Sequence, residues 1–123
     1  RESKFAWAEL LRRQDRRADA VKLYKELASD VRTKEGSAAA YYVLEDVFAG
    51  GDMDKAEKAI FAYSEREPQA YWLAKAFILL GDVYVRKGDN FQARATYQSV
   101  ADGYSPADDG IVAEAKERIA KLN

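Results

Sequence analysis

Two pairs of closely spaced aspartates are the first candidates for chemistry in this chain: Asp52 with Asp54, and Asp108 with Asp109. Paired carboxylates can exchange protons with a substrate or bind a hard cation. Both pairs lie where we expect helices to begin, and aspartates there commonly accept hydrogen bonds from backbone N–H groups. The chain has no Cys and no His, which removes thiolate nucleophiles, imidazole bases and the commonest zinc ligands. We therefore predict that the protein is not an enzyme and uses no metal or cofactor.

A second candidate is the arginine-rich stretch RRQDRR, residues 12–17, which could contact nucleic-acid phosphates. The whole chain balances 20 basic against 21 acidic residues, so it lacks the strong positive field typical of nucleic-acid-binding domains. Arginines are also favourable where a helix ends. No apolar run approaches the roughly 18 residues that a membrane-spanning helix needs. We predict a solvated turn here, no nucleic-acid partner and no direct membrane insertion.

Periodic apolar residues, separated by Gly, Pro and Asp, indicate the helices that must position these side chains. In residues 70–87, apolar side chains recur every three or four positions, which is the spacing of one helix face. The alternating pattern of β-strands is missing. The predicted helices cover residues 1–13, 18–31, 37–50, 55–65, 70–87, 90–103 and 110–122. We therefore predict an all-α fold of seven helices in a single domain spanning residues 1–123.

The chain repeats itself at a spacing of 36 to 37 residues, which is typical of stacked helical units. Three sets that fall in register are Ala20, Ala56 and Ala93; Ala8, Leu44 and Gly81; and Tyr24, Ile60 and Tyr97. In the third unit, the small residues Gly81 and Ala93 would let the two helices approach closely. Tyr84 and Tyr97 would then fill the space beside that contact.

The third unit resembles the tetratricopeptide repeat (TPR), a helix–turn–helix unit of about 34 residues. The residues that carry the resemblance are Phe77, Leu80, Gly81, Tyr84, Gly88, Ala93, Tyr97 and Pro106. The second unit departs from the pattern at Ala40 and Leu44, and the first departs at Lys4. The resemblance implies a right-handed solenoid of helical hairpins. Its repeats would cover about residues 1–33, 37–68 and 70–105, with a terminal helix at about 110–122.

The run GDNFQARATYQSVADGYS, residues 88–105, is similar to repeats in long TPR proteins of bacterial cell envelopes. The chain begins at Arg1 and its only methionine is Met53, so we expect a piece of a longer protein. The resemblance therefore favours a bacterial source, and a cell-envelope or periplasmic location over a cytoplasmic one.

The first helix of each pair lines a concave face in TPR stacks, and the resemblance implies the same here. Side chains that repeat on this face form an apolar column and an acidic column one helical turn further on. Arginines and a phenylalanine follow after another turn. The candidate partner-binding residues are therefore Phe5, Glu9, Arg12, Tyr41, Glu45, Phe48, Ile78, Asp82 and Arg86.

An apolar column beside an acidic column suits a peptide or partner helix that carries apolar and Lys or Arg side chains. We therefore predict a non-catalytic scaffold or adaptor for protein–protein interaction. Some TPR domains hold a peptide's terminal carboxylate with Lys and Asn side chains. Lys75 is the only such side chain at the matching positions here, so we do not expect that mode. The same columns could also be solvated surface and interior packing. The alternative function is a structural spacer or self-association module within a larger repeat protein.

Overall fold

The computed structural model describes residues 2–122, and all regular structure in that range is helical. The helices are α1 (Glu2–Arg13), α2 (Arg17–Leu27), α3 (Lys34–Ala49), α4 (Met53–Glu65), α5 (Ala70–Arg86), α6 (Asn90–Gly103) and α7 (Ile111–Ala120). The prediction of an all-α chain with seven helices is therefore confirmed over the described residues. Within them, no helix combines the length and apolar character that crossing a membrane requires.

The helices pack in chain order, each one against the next. We refer to α1–α2, α3–α4 and α5–α6 as the first, second and third hairpins. In addition, α1 contacts α3, α3 contacts α5 and α5 contacts α7, whereas no two even-numbered helices come into contact between residues 2 and 122. The odd-numbered helices therefore converge and the even-numbered helices diverge. We call the face formed by α1, α3, α5 and α7 the inner face.

The capping predicted for the aspartate pairs is present at one member of each pair. Asp52 accepts the N–H three residues further on at 3.1 Å, and Asp109 accepts the Ile111 N–H at 3.2 Å. Neither Asp54 nor Asp108 accepts an N–H from the helix it precedes or begins, as far as the described residues show, so the capping prediction is wrong for these two. Asp54 instead pairs with a lysine at the end of α5.

The start of α3 differs from the prediction, because the helix begins at Lys34 and includes Gly36 and Ser37. Gly36 precedes the predicted helix of residues 37–50, but it lies inside the observed one. It lies against the backbone carbonyl of Asp30, where an added Cβ would overlap the oxygen. Ser37 is fully buried; its hydroxyl donates to a carbonyl of the preceding loop and accepts the Gln69 N–H at 3.0 Å. These contacts tie the start of α3 to the loop before it and to the start of α5.

The buried side chains form two clusters, and Tyr42 packs against both of them. The smaller cluster joins α1 and α2 to the start of α3, and the larger one extends from α3 to α7. In the third hairpin, Gly81 faces the ring of Tyr97, and an added Cβ at that position would overlap the ring. Ala93 is fully buried in the same cluster. The close approach predicted at these two small residues is therefore present.

Candidate partner-binding groove

A groove of about 460 Å³ opens on the inner face and extends to one side of α2. Neither α4 nor α6 contributes to its described lining. The charged residues that line it are Arg12, Asp15, Arg17, Glu45, Lys75, Asp82, Glu114 and Arg118. The remaining lining residues are Ala20, Val21, Tyr24, Tyr41, Tyr42, Phe48, Ala49 and Leu79. We call this hollow the inner groove.

The inner groove brings together part of the set of residues predicted to contact a partner. Those that line it are Arg12, Tyr41, Glu45, Phe48 and Asp82. They come from three different odd-numbered helices, which the helix contacts hold side by side. A surface assembled in this way can span more than one hairpin.

The other predicted residues lie elsewhere. Ile78 is only 3% exposed and belongs to the core, so its side chain does not reach the inner groove. Phe5 lines a separate apolar hollow with Trp72. Arg86 lies over the ring of Phe48, with its guanidinium carbon 4.9 Å from the ring centre. Glu9 does not line the inner groove, but it bonds to Arg12 and Tyr24, which do.

The predicted acidic column is largely occupied by bonds within the protein. Glu9 accepts the Tyr24 hydroxyl at 2.8 Å and pairs with Arg12 at 2.9 Å. Asp82 accepts the Tyr97 hydroxyl, and it also accepts two hydrogen bonds from Arg118 at 3.0 and 3.3 Å.

Both carboxylates therefore take part in a tyrosine–carboxylate–arginine arrangement that joins helices. Tyr24 and Tyr97 stand at equivalent positions of the repeat, as do Glu9 and Asp82. The arrangement of the first hairpin recurs in the third, although its arginine comes from α1 in one case and from α7 in the other.

Glu45 is the exception in this column. The position equivalent to Tyr24 and Tyr97 holds Ile60, which has no hydroxyl to offer. Glu45 accepts instead the hydroxyl of Tyr41, from its own helix, at 3.2 Å. No basic side chain among residues 2–122 forms an ion pair with its carboxylate. The half-buried carboxylate of Glu45 is thus left without an ion-pair partner in the inner groove, although the Arg17 guanidinium donates to the backbone carbonyl of Glu45 at 3.4 Å.

The basic side chains of the inner groove are all paired, in contrast to Glu45. Arg12 pairs with Glu9 and Arg118 with Asp82, as described above. Arg17 lies 3.4 Å from Asp46, and Lys75 lies 3.6 Å from Glu114. Asp15, at the turn after α1, forms no ion pair with any described residue. The charge that remains unpaired in the inner groove is therefore negative.

Aromatic rings form a continuous series that includes Tyr24 and Tyr42 of the groove lining. Its successive centroid distances are 5.9 Å for Phe5–Tyr24, 5.0 Å for Tyr24–Tyr42, 5.7 Å for Tyr42–Trp72 and 5.0 Å for Trp72–Tyr71. Burial raises the pKa of Tyr41 and of Tyr97, and their carboxylate partners raise it further. Both hydroxyls therefore keep their protons at neutral pH and act as donors.

Several groove residues were not predicted from the sequence. Tyr42 of α3 lines the groove, and so do Glu114 and Arg118 of α7, the terminal helix that follows the three predicted repeats. The signal for Arg118 was present, because it follows Asp82 by 36 residues and so continues the same column. Arg118 lies beyond the three repeats, in the terminal helix, so the pattern of the three repeats alone does not include it.

The side chains of the inner groove can form ion pairs, donate and accept hydrogen bonds and stack on rings. The described residues contain no group of three or more His, Cys, Asp or Glu residues placed to hold a metal ion. Comparison with known proteins found no matching family model, no matching curated protein and no matching solved structure.

Proposed function

We propose that this chain is a non-catalytic interaction module, a scaffold or adaptor that binds a peptide or helix of another protein in the inner groove. The observation that carries the proposal is the groove itself, which four helices of one face and the first part of α2 line together. Its mixture of tyrosines, charged groups and small residues is suited to an extended partner segment. A TPR-like stack of hairpins agrees with the contacts between successive odd-numbered helices.

The test is a selection of random peptides on the immobilised chain, followed by affinity measurements on two matched variants. Ala49 is exposed and lines the inner groove, so Ala49→Trp fills the groove without disturbing the core. Ala62 is exposed on α4 and lines a different hollow, so Ala62→Trp is the control. We expect selected peptides to bind Ala49→Trp at least about tenfold more weakly and Ala62→Trp with unchanged affinity. Equal binding to both variants would contradict the proposal.

Self-association is a second candidate function, because α1 presents an uncovered apolar surface. Trp7 is 50% exposed and Leu10 is 40% exposed. The positions equivalent to Trp7 are Val43, which packs against the cluster of the first hairpin, and Leu80, which is buried. Light scattering over a range of protein concentrations would detect an association through α1. A mass that stays monomeric for both the parent chain and Trp7→Glu would eliminate this candidate.

A further inference from the structure

The partner chemistry of the inner groove follows from which of its charges are already satisfied. All four basic residues of its lining have acidic partners within the protein. Of its acidic residues, Asp82 and Glu114 have basic partners, whereas Glu45 and Asp15 have none among the described residues. A ligand with a free carboxylate would meet no unpaired cation, while a ligand with basic groups would meet two unpaired carboxylates. Charge complementarity thus favours a basic ligand.

The repeat strengthens this argument, because the carboxylates at the positions equivalent to Glu45 have a full set of partners within the protein. Glu9 and Asp82 each receive a tyrosine hydroxyl from the second helix of the hairpin and an arginine. Glu45 receives only the Tyr41 hydroxyl. The partner that Glu45 lacks is the arginine, and a basic group of a ligand could supply its N–H donors.

The walls beside Glu45 are suited to a guanidinium or ammonium group. The Arg12 guanidinium lies 4.4 Å from the ring centre of Tyr42, and the Arg86 guanidinium lies 4.9 Å from that of Phe48. Both rings also line the inner groove, so the protein itself shows that cations stack on them. The stems of Lys and Arg are apolar and can pack on such rings while the charged end reaches a carboxylate.

We propose that the inner groove binds a partner segment through its Lys or Arg side chains, and that Glu45 and Asp15 receive them while Glu9 and Asp82 do not. This inference rests on the proposed function, and it names the partner as a basic segment of another protein. Glu45 is the stronger contact because it is half-buried, whereas Asp15 is exposed at a turn and is screened by solvent.

The experiment uses peptides that have already passed the Ala49→Trp criterion, so groove binding is established before charge is tested. Their affinities are measured for the parent chain, Glu45→Gln, Asp15→Asn and a control, Glu65→Gln. Glu65 is exposed on α4, so this substitution removes one negative charge at a site away from the groove. Circular dichroism and urea unfolding verify that each variant is folded.

We expect the selected peptides to be enriched in Lys and Arg. Glu45→Gln should weaken binding about tenfold and Asp15→Asn about threefold, while Glu65→Gln leaves it unchanged. Replacing one Arg of the peptide by neutral citrulline should weaken binding to the parent chain but not to Glu45→Gln. Because a double-mutant cycle isolates the pair, this result would locate the peptide's cation at Glu45.

Two results would overturn the inference in distinguishable ways. Peptides that bind in the groove without basic residues, or that bind Glu45→Gln and the parent equally, would eliminate basic recognition and leave the proposed function standing. The absence of any peptide sensitive to Ala49→Trp would overturn the proposed function and this inference together.

Discussion

In the third hairpin Gly81 faces the ring of Tyr97, whereas the equivalent positions of the second hairpin hold Leu44 and Ile60. One contact combines the smallest residue with a large one, and the other combines two residues of middle size. Leu44 and Ile60 are 6% and 1% exposed and belong to the same buried cluster. Both hairpins therefore fill these positions with closely packed side chains, although the division between small and large residues differs.

The exchange has a consequence on the inner face. Tyr97 fills the space beside Gly81 and extends its hydroxyl to Asp82, so packing and charge are satisfied by one side chain. Ile60 fills its space but carries no hydroxyl, and Glu45 is left with a single donor. Glu45 also lacks the arginine that Glu9 has, because Phe48 stands at the position equivalent to Arg12, so its carboxylate remains available in the groove.

The largest effect is expected at the start of the second hairpin, where Gly36 touches backbone. An alanine Cβ there would overlap the Asp30 carbonyl, which cannot rotate away as a side chain can. We expect Gly36→Ala to destabilise the protein by more than about 4 kcal/mol, which is in the exceptional range for one substitution. Urea unfolding measures this free energy.

The control for this prediction is Gly103→Ala, since nothing lies within 4 Å of a Cβ at the end of α6. We expect that variant to change stability by less than about 1 kcal/mol. Similar effects of the two substitutions would show that the close approach at Gly36 is not a constraint of the fold.

The next effect concerns Gly81 and Tyr97 of the third hairpin, whose equivalents in the second hairpin are Leu44 and Ile60. Gly81→Leu would force the Tyr97 ring aside, and we expect a loss of about 3 kcal/mol from overpacking. Tyr97→Ile alone should cost about 2–4 kcal/mol because it leaves a cavity and removes a donor to Asp82. The double variant recreates the pair found in the second hairpin.

We expect the double variant to be more stable than the sum of the single effects predicts, by about 1–3 kcal/mol. Urea unfolding of the parent, both singles and the double gives the coupling energy. Additive effects would mean that the side chains at positions 81 and 97 do not compensate for each other in size.

The helices of this protein could be predicted from the sequence because helical periodicity and turn residues are local signals. All seven were found, and the largest error in where a helix begins or ends lies in the segment from α2 to α3. There, α2 ends at Leu27 and α3 begins at Lys34, with Thr33 accepting the Gly36 N–H at 2.9 Å. In sequence, a glycine usually indicates the end of a helix. Gly36 instead lies in the first turn of α3, where a tertiary contact with the Asp30 carbonyl leaves no room for a side chain.

The candidate site could be predicted only in part, for the same physical reason. The register of the repeat placed Tyr41, Glu45 and Phe48 on one face, and these residues do line the inner groove. It could not show that Ile78 turns into the core, or that Asp82 is occupied by Arg118 of α7. Whether a charged residue is free or paired depends on side chains far away in the chain.

A smaller effect should distinguish two of the three tyrosines that donate to the acidic column, Tyr97 and Tyr41. Tyr97→Phe removes a buried donor to Asp82, and we expect a loss of about 1.5–3 kcal/mol, as for hydrogen bonds to charged groups. Tyr41→Phe removes a donor to the half-buried Glu45, which solvent partly compensates, so we expect about 0.5–1.5 kcal/mol. Thermal or urea unfolding of the two variants compares them. A larger loss for Tyr41→Phe would contradict the assignment of Asp82 as the satisfied carboxylate and Glu45 as the available one.

The smallest effect concerns the junction of the second and third hairpins, where Lys87 donates to Asp54 at 2.7 Å and to Glu57 at 2.9 Å. These bonds lower the pKa of both carboxyls below their ordinary values of 3.8 and 4.5. The folded protein therefore binds protons less readily than the unfolded chain, so the contact stabilises the fold above about pH 4.5 and is lost as pH falls through the lowered pKa values. We expect the melting temperature of Lys87→Gln to fall less steeply between about pH 5 and pH 3 than that of the parent chain. Lys25→Gln removes an exposed lysine of the first hairpin and should keep the parent's slope. Identical slopes for all three proteins would mean that Lys87 does not link the two hairpins in solution.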